Sequence, residues 1–290
     1  SSNILYVSDV SNHRVMVYDP IPTADDTAAN IVLGQSVFTS GVSGVSTTKF
    51  NAPRGIFADS QNVWVADTSN HVIKRFTKPL TTGAAITSIA GTYDSTLNIP
   101  NNRSASTPTS QDLAQPLSTI IVGTKLITVD YYNHRVLIWN TLPTTDNQSA
   151  DVVIGHNDFT TTTKNDPAVS TAAGRLYFPL HVSSNGTNLV IADSGNHRVL
   201  IYNTIPTTNG ALANNVLGQA NFTAASSNRA TTLAANGLYN PTCSLMSGTK
   251  LFVCDSSNHR VLIWNDYTTI TDGQAADTVL GQAAISGAGN

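Results

Sequence analysis

Charged side chains are scarce: Asp, Glu, Lys and Arg make up 11% of the 290 residues, against roughly a quarter in an average soluble protein. The 15 basic and 18 acidic residues leave a net charge of −3. Nucleic-acid binding needs a basic footprint that neutralises phosphates, and this balance argues against such a partner. Apolar runs are short as well, none approaching the roughly 20 residues that span a bilayer, so membrane insertion is not expected. Only two cysteines are present, too few for a disulfide scaffold. There is no Cys-x-x-Cys-His for a covalent haem, and no Gly-x-Ser-x-Gly, His-Glu-x-x-His or phosphate loop. No cofactor is therefore expected. The sequence opens on Ser1 with no leader, which fits a processed form or a trimmed sequence.

Thr, Ser, Asn and Ala take the place of the missing charge, a composition suited to an extracellular surface. Their arrangement is periodic. Residues 5–18, 63–76, 126–139, 189–202 and 251–264 align without gaps around Asp-x-x-Asn-His-Arg. The motif residues are Asp9, Asn12 and His13; Asp67, Asn70 and His71; Asp130, Asn133 and His134; Asp193, Asn196 and His197; and Asp255, Asn258 and His259. Five of the seven histidines occupy this one slot. Val-Leu-Gly-Gln or a close variant follows each motif at residues 32–35, 89–92, 153–156, 216–219 and 279–282. Pro53, Pro116, Pro179 and Pro241 each stand 14 residues before a motif Asp, where proline opens a strand without removing a ladder bond.

Each unit reads as four strands: a after the proline, b into the Asp, c after Asn-His, and d ending near the Gly-Gln. Val-Leu-Ile-Trp and Val-Leu-Ile-Tyr are short, branched and aromatic, as buried strands are. Turns at 59–62 and 247–250 close a–b hairpins. A fixed repeat of four antiparallel strands predicts an all-β protein, a β-propeller of about five blades in one domain. The repeats run over about 1–50, 51–113, 114–176, 177–238 and 239–290. Strand a occurs four times only, so the first blade is expected to lack its inner strand.

The Asp-x-x-Asn-His-Arg hairpin resembles the NHL repeat, named for Asn-His-Leu. The longer unit, with Val-Leu-Gly-Gln and Phe-Thr elements (Phe38-Thr39, Phe159-Thr160, Phe222-Thr223), resembles a bacterial variety with long inter-blade loops. The resemblance covers essentially the whole chain. It departs from the family in Val72, which stands where the motif has Arg, and in the length of the repeat. The family commonly has six blades, so the five copies leave blade number open. Some members bind RNA on a basic, aromatic face, but Arg14, Arg135, Arg198 and Arg260 belong to the motif here. Others are lyases or hydrolases with a metal in the channel, held by acidic or His ligands on inner strands. The inner strands of this chain offer Arg54, Ser118, Thr119, His181 and Thr242, and no carboxylate before Asp59.

The motif itself reads as structural. Its Asp is expected to accept backbone N–H groups two residues on, while His and Arg tie the turn to the neighbouring blade. Equivalent positions on successive blades should lie more than about 10 Å apart, too far for zinc–nitrogen bonds of about 2 Å. Long d–a loops at about 36–51, 93–114, 157–176 and 220–238 are where binding is expected. Their neutral, hydroxyl-rich surface suits a protein, a carbohydrate or another copy of the chain. Asn102, Asn147, Asn185 and Asn221 offer glycosylation sequons. Register counted from the 247–250 turn sets Cys243 opposite Cys254, as a disulfide or as two buried thiols. The expected function is a secreted or surface-displayed binding or scaffolding module. Alternatives are a fibre or surface-layer subunit assembled by strand exchange at the open first blade, and a channel-site lyase or hydrolase.

Overall fold

The computed structural model describes residues 3–91, 107–165, 172–231 and 233–283. Among the described residues the strands fall into five antiparallel sheets. The first contains β1 (Leu5–Asp9), β2 (Arg14–Tyr18) and β3 (Ile31–Leu33). The second contains β4 (Pro53–Ala58), β5 (Asn62–Asp67), β6 (Val72–Thr77) and β7 (Ser88–Ala90). The third is built from β8 (Pro116–Val122), β9 (Lys125–Asp130), β10 (Arg135–Trp139) and β11 (Val152–Ile154). Next come β12 (Pro179–Ser184), β13 (Leu189–Asp193), β14 (Arg198–Tyr202) and β15 (Asn215–Leu217). The last contains β16 (Pro241–Ser247), β17 (Lys250–Asp255), β18 (Arg260–Trp264) and β19 (Thr278–Leu280). Every sheet follows sequence order, and all four predicted prolines open a strand. Among the described residues the first sheet has three strands, and no proline-led segment precedes it in sequence.

Contacts group the chain into two compact units, Ser1–Thr128 with Trp139–Ala150, and Val129–Ile138 with Asp151–Asn290. In the first unit, Val15, Val17 and Leu33 pack against Phe50, Val63, Val65 and Phe76. In the second, Val190, Val199, Ile201 and Leu217 meet Leu251, Val253, Leu262 and Trp264. Burying each such side chain contributes roughly 1.5–3 kcal/mol, so these sheet-to-sheet layers dominate the stability of their units. No helix among the described residues is long and apolar enough to cross a membrane.

Loops of one repeat cover the outer strand of the repeat before it. Val153 N–H donates to Asn209 Oδ1 at 3.0 Å, and Val216 N–H to Asp272 Oδ1 at 3.0 Å. These bonds satisfy edge groups that would otherwise invite another chain. The glycine after strand d is required sterically: at Gly155 (φ 104°) a Cβ would lie 2.6 Å from the His134 carbonyl.

The a–b register of the last sheet is the predicted one. Cys243 pairs with Cys254 and Met246 with Leu251, and the two cysteines form a disulfide with a Cα separation of 5.0 Å.

Candidate functional site

Each motif forms one short 3₁₀ turn that ends on a histidine in the left-handed region, with φ between 52° and 60°. The Asp does not cap this turn through its side chain, contrary to the expectation from local sequence. Its oxygens are taken by other donors. Asp193 Oδ2 accepts Asn196 Nδ2 at 2.8 Å and Arg198 Nε at 2.7 Å, while Oδ1 accepts the Tyr177 N–H at 2.8 Å. Asp255 repeats the set with Asn258, Arg260 and Tyr239. Burial pushes the Asp193 carboxyl up, opposed by the Arg198 charge and by these hydrogen bonds. The Arg also ties down the loops: Arg198 Nη1 donates to the Phe222 carbonyl at 2.6 Å, and Nη2 to those of Ala172 and Arg175. In the Phe-Thr element it is thus the Phe backbone that the Arg grips. The Gly-Gln element closes the turn from above, with Gln219 Nε2 donating to the His197 carbonyl at 2.9 Å.

The histidine is a latch to the next repeat. His13 Nδ1 accepts the Ala52 N–H at 3.0 Å and His71 Nδ1 the Gln115 N–H at 3.0 Å. In the second unit, His134 Nδ1 accepts the Phe178 N–H and His197 Nδ1 the Asn240 N–H, both at 3.2 Å. Each donor directly precedes the strand-opening proline and itself has positive φ. An accepting Nδ1 must be unprotonated. Burial holds His71 and His134 down to about 4, the latter helped by His156 and Lys164.

Among the described residues no group of three His, Cys, Asp or Glu side chains is placed to hold a metal ion. His181 is half-buried on β12, held down to about 4 by desolvation, with Nδ1 facing the Ser244 N–H at 3.4 Å. Ser118 and Thr119 are buried on β8 and Arg54 is exposed on β4. Asp59 accepts the N–H groups of Gln61 and Asn62 in its turn. Of the sequon asparagines, Asn102 lies outside the described residues. Asn147 has its amide oxygen buried. Asn185 and Asn221 are exposed, each accepting two backbone N–H groups through its side-chain oxygen.

A groove of about 390 Å³ lies in the second unit, where the turns at 131–133, 194–196 and 256–258 meet the starts of β12 and β16. Its lining combines the apolar Tyr131, Phe178 and Leu180 with the small or polar Ser194, Gly195, Asn240, Thr242, Ser256 and Ser257. Tyr131 stacks on Phe178 with centroids 4.7 Å apart, Tyr132 lies 4.9 Å from Tyr131, and Tyr177 lies 4.6 Å from Phe178. His134 meets the Phe178 ring edge-on at 4.4 Å. Tyr132 is 51% exposed despite this company. Burial raises the Tyr131 phenol above its ordinary range, with Tyr132 and Tyr177 adding to the shift, so it stays a donor at neutral pH. Among the polar lining residues, Ser256 and Thr242 bond to each other and Asn240 Nδ2 donates to Ser257 Oγ at 3.1 Å. A hollow of the same size, lined by Gln219, Ala224, Ser226 and Arg229, has no aromatic wall.

This aromatic cluster was not singled out by sequence reading, although a signal existed. The two variable positions of Asp-x-x-Asn are Val10-Ser11, Thr68-Ser69, Ser194-Gly195 and Ser256-Ser257 in four copies, and Tyr131-Tyr132 in the third. The residue before the proline is Ala52, Gln115 or Asn240 elsewhere, and Phe178 here.

No family model and no curated protein matches the sequence. Among solved structures, the chain is similar to one from a nidogen/laminin complex, with TM-score 0.50 and 13% identity over 97% of this chain and 76% of that chain. Such a likeness concerns the fold alone. Together with the five antiparallel sheets it defines the class: this is an all-β protein with a propeller-like fold.

Proposed function

We propose that this chain is a non-enzymatic, NHL-type propeller, secreted or displayed at the cell surface, that serves as a protein- or carbohydrate-binding or scaffolding module. The observation that carries this reading is the aromatic cluster of Tyr131, Tyr132 and Phe178. The motif residues are engaged in holding turns, loops and neighbouring strands, and small residues do that work at the variable turn positions of the other four copies. A partly exposed aromatic wall adds nothing the turn needs, and it is the kind of anchor that binding sites use. The groove opens where the b–c turns lie, the end that also carries the d–a loops.

Binding is tested by screening the purified chain and a Tyr132→Ser/Phe178→Asn variant against a glycan array and a panel of extracellular proteins. Loss of a wild-type interaction in the variant supports the reading. Equal binding by both would place recognition elsewhere, and turnover of a screened compound would replace it with an enzyme.

A second reading, a fibre or surface-layer subunit built by strand exchange, is favoured by the edge position of β1. Among the described residues β1 pairs with β2 alone, and Leu5 and Val7 are each 40% exposed.

A further inference from the structure

We infer that the groove between Tyr131–Phe178 and the Ser256–Ser257 turn binds a neutral pyranose sugar; this rests on the binding-module reading and names its ligand. Three observations converge. First, no lining side chain carries a charge, so neither an anionic nor a cationic ligand finds a counter-charge there. Second, the lining combines two chemistries, as the two aspects of a pyranose do. One face of such a ring presents C–H groups of partial positive charge, which rest favourably on the negative face of an aromatic ring. Its rim presents hydroxyls that both donate and accept. The rest of the lining offers hydroxyls at Ser194, Thr242, Ser256 and Ser257 and the Asn240 amide, groups that also do both. Asn240 Nδ2 is engaged with Ser257, and no donor among the described residues meets its amide oxygen. Third, the volume of about 390 Å³ falls in the lower part of the ~300–1,000 Å³ range of small-molecule sites, which suits one or two sugar rings.

The aromatic residues are also set firmly, so little freedom is lost on binding. Phe178 is held at φ 46° by its bond to His134 and by contact with both Tyr131 and Tyr177. A non-glycine residue at positive φ is uncommon, and for a bulky one it carries strain of order 1–3 kcal/mol. The sister repeats place alanine, glutamine or asparagine there. The strain is tolerated in the one copy where the ring completes the groove.

Saturation-transfer NMR and calorimetry with the methyl pyranosides of glucose, galactose and mannose, and with their β-linked disaccharides, test this directly. At least one should bind, and the Tyr131 and Tyr132 ring protons should shift. Tyr131→Ser/Tyr132→Ser recreates the turn of the fifth repeat, and Phe178→Asn recreates its pre-proline residue, so both variants should fold. Each should weaken binding about tenfold or more, equivalent to roughly 1.4 kcal/mol. The inference is overturned if no neutral sugar binds the folded protein, or if both variants bind as the parent does. Binding of a proline-rich peptide in place of sugar would also overturn it, and would leave the binding-module reading standing.

Discussion

Lys74 Nζ lies 2.7 Å from Asp67 Oδ2, with both side chains sealed from solvent. This pair explains the one departure from the motif. In the third, fourth and fifth repeats the first residue of strand c is an Arg whose Nε meets the buried Asp at 2.7–2.8 Å. In the second, that residue is Val72, and the cation comes from two positions on, the same face of the strand. Lys74 also donates to the carbonyls of Ser46 and Lys49, as Arg198 and Arg260 do to their loops.

Lys74→Leu should therefore destabilise the protein by about 3–5 kcal/mol, the cost of leaving a buried carboxylate without its partner. Adding Val72→Arg rebuilds the arrangement of the sister repeats and should restore most of the loss. Urea unfolding of the parent, the single and the double variant checks both. A single variant within about 0.5 kcal/mol of the parent, the usual range of a surface substitution, would show that the ion pair does not hold the turn.

The latches make stability depend on pH with a definite sign. His71 and His134 are held down to about 4 by burial, against about 6.5 in the unfolded chain. The unfolded state binds protons first, so this stability is complete above about pH 6.5 and is lost as pH falls toward 4. Protonation at Nδ1 removes the acceptor for the Gln115 and Phe178 N–H groups. Melting temperature should drop steadily between pH 7 and 4.5, and a His71→Gln/His134→Gln variant should lose much of that slope. An unchanged slope would assign the acid sensitivity to other groups.

Much of this arrangement could be read from the sequence because the repeat reports on itself. Five aligned copies placed the turn, the prolines marked where inner strands begin, and counting outward from the Ser247–Lys250 turn matched Cys243 to Cys254. The partners of the motif were harder. The acceptor on His71 serves a backbone N–H 44 residues away, and the donor to Asp67 Oδ1 is the Asn51 N–H. A main-chain group leaves no mark in residue identity, so local turn chemistry was the wrong model for the Asp. The Tyr131–Phe178 groove was missed for the opposite reason. Attention to what the repeats share passes over the positions where one copy differs, and function can be added there without disturbing the scaffold.

Removing one latch should separate structure from recognition. His71→Ala leaves the partly buried Gln115 N–H without its acceptor, a loss of about 1 kcal/mol or more. Thermal melts should register it, while sugar binding at the Tyr131–Phe178 groove stays at the parent level. His134 is unsuited to this comparison because its ring also packs on Phe178. Abolished binding in a still-folded His71→Ala protein would mean that the latch histidines take part in recognition.

The edge position of β1 gives the last prediction. In the sister sheets the Asp that ends strand b has its Oδ1 filled from the segment leading into strand a: Asn51 N–H to Asp67 at 2.7 Å, Tyr177 to Asp193 at 2.8 Å, Tyr239 to Asp255 at 2.7 Å. Among the described residues Asp9 Oδ1 receives only the Asn12 side chain at 3.0 Å, and the Asp9 side chain is 26% exposed where its counterparts are fully buried. Ser8 Oγ already bonds to the Arg54 carbonyl of the neighbouring strand, so β1 is held in place, and among the described residues no strand pairs with its outer side. Such an edge pairs readily with another extended chain. The strand-exchange reading therefore expects association that rises with concentration in sedimentation velocity. A lysine at an exposed edge position opposes pairing, so Val7→Lys should return the protein to monomer without lowering its melting temperature. A synthetic peptide with the sequence of residues 50–58, added in excess, should compete and should slow hydrogen exchange at amides of residues 5–9. A protein that stays monomeric at every concentration, with those amides already protected, has this edge paired within its own chain, and strand exchange is then not how it assembles.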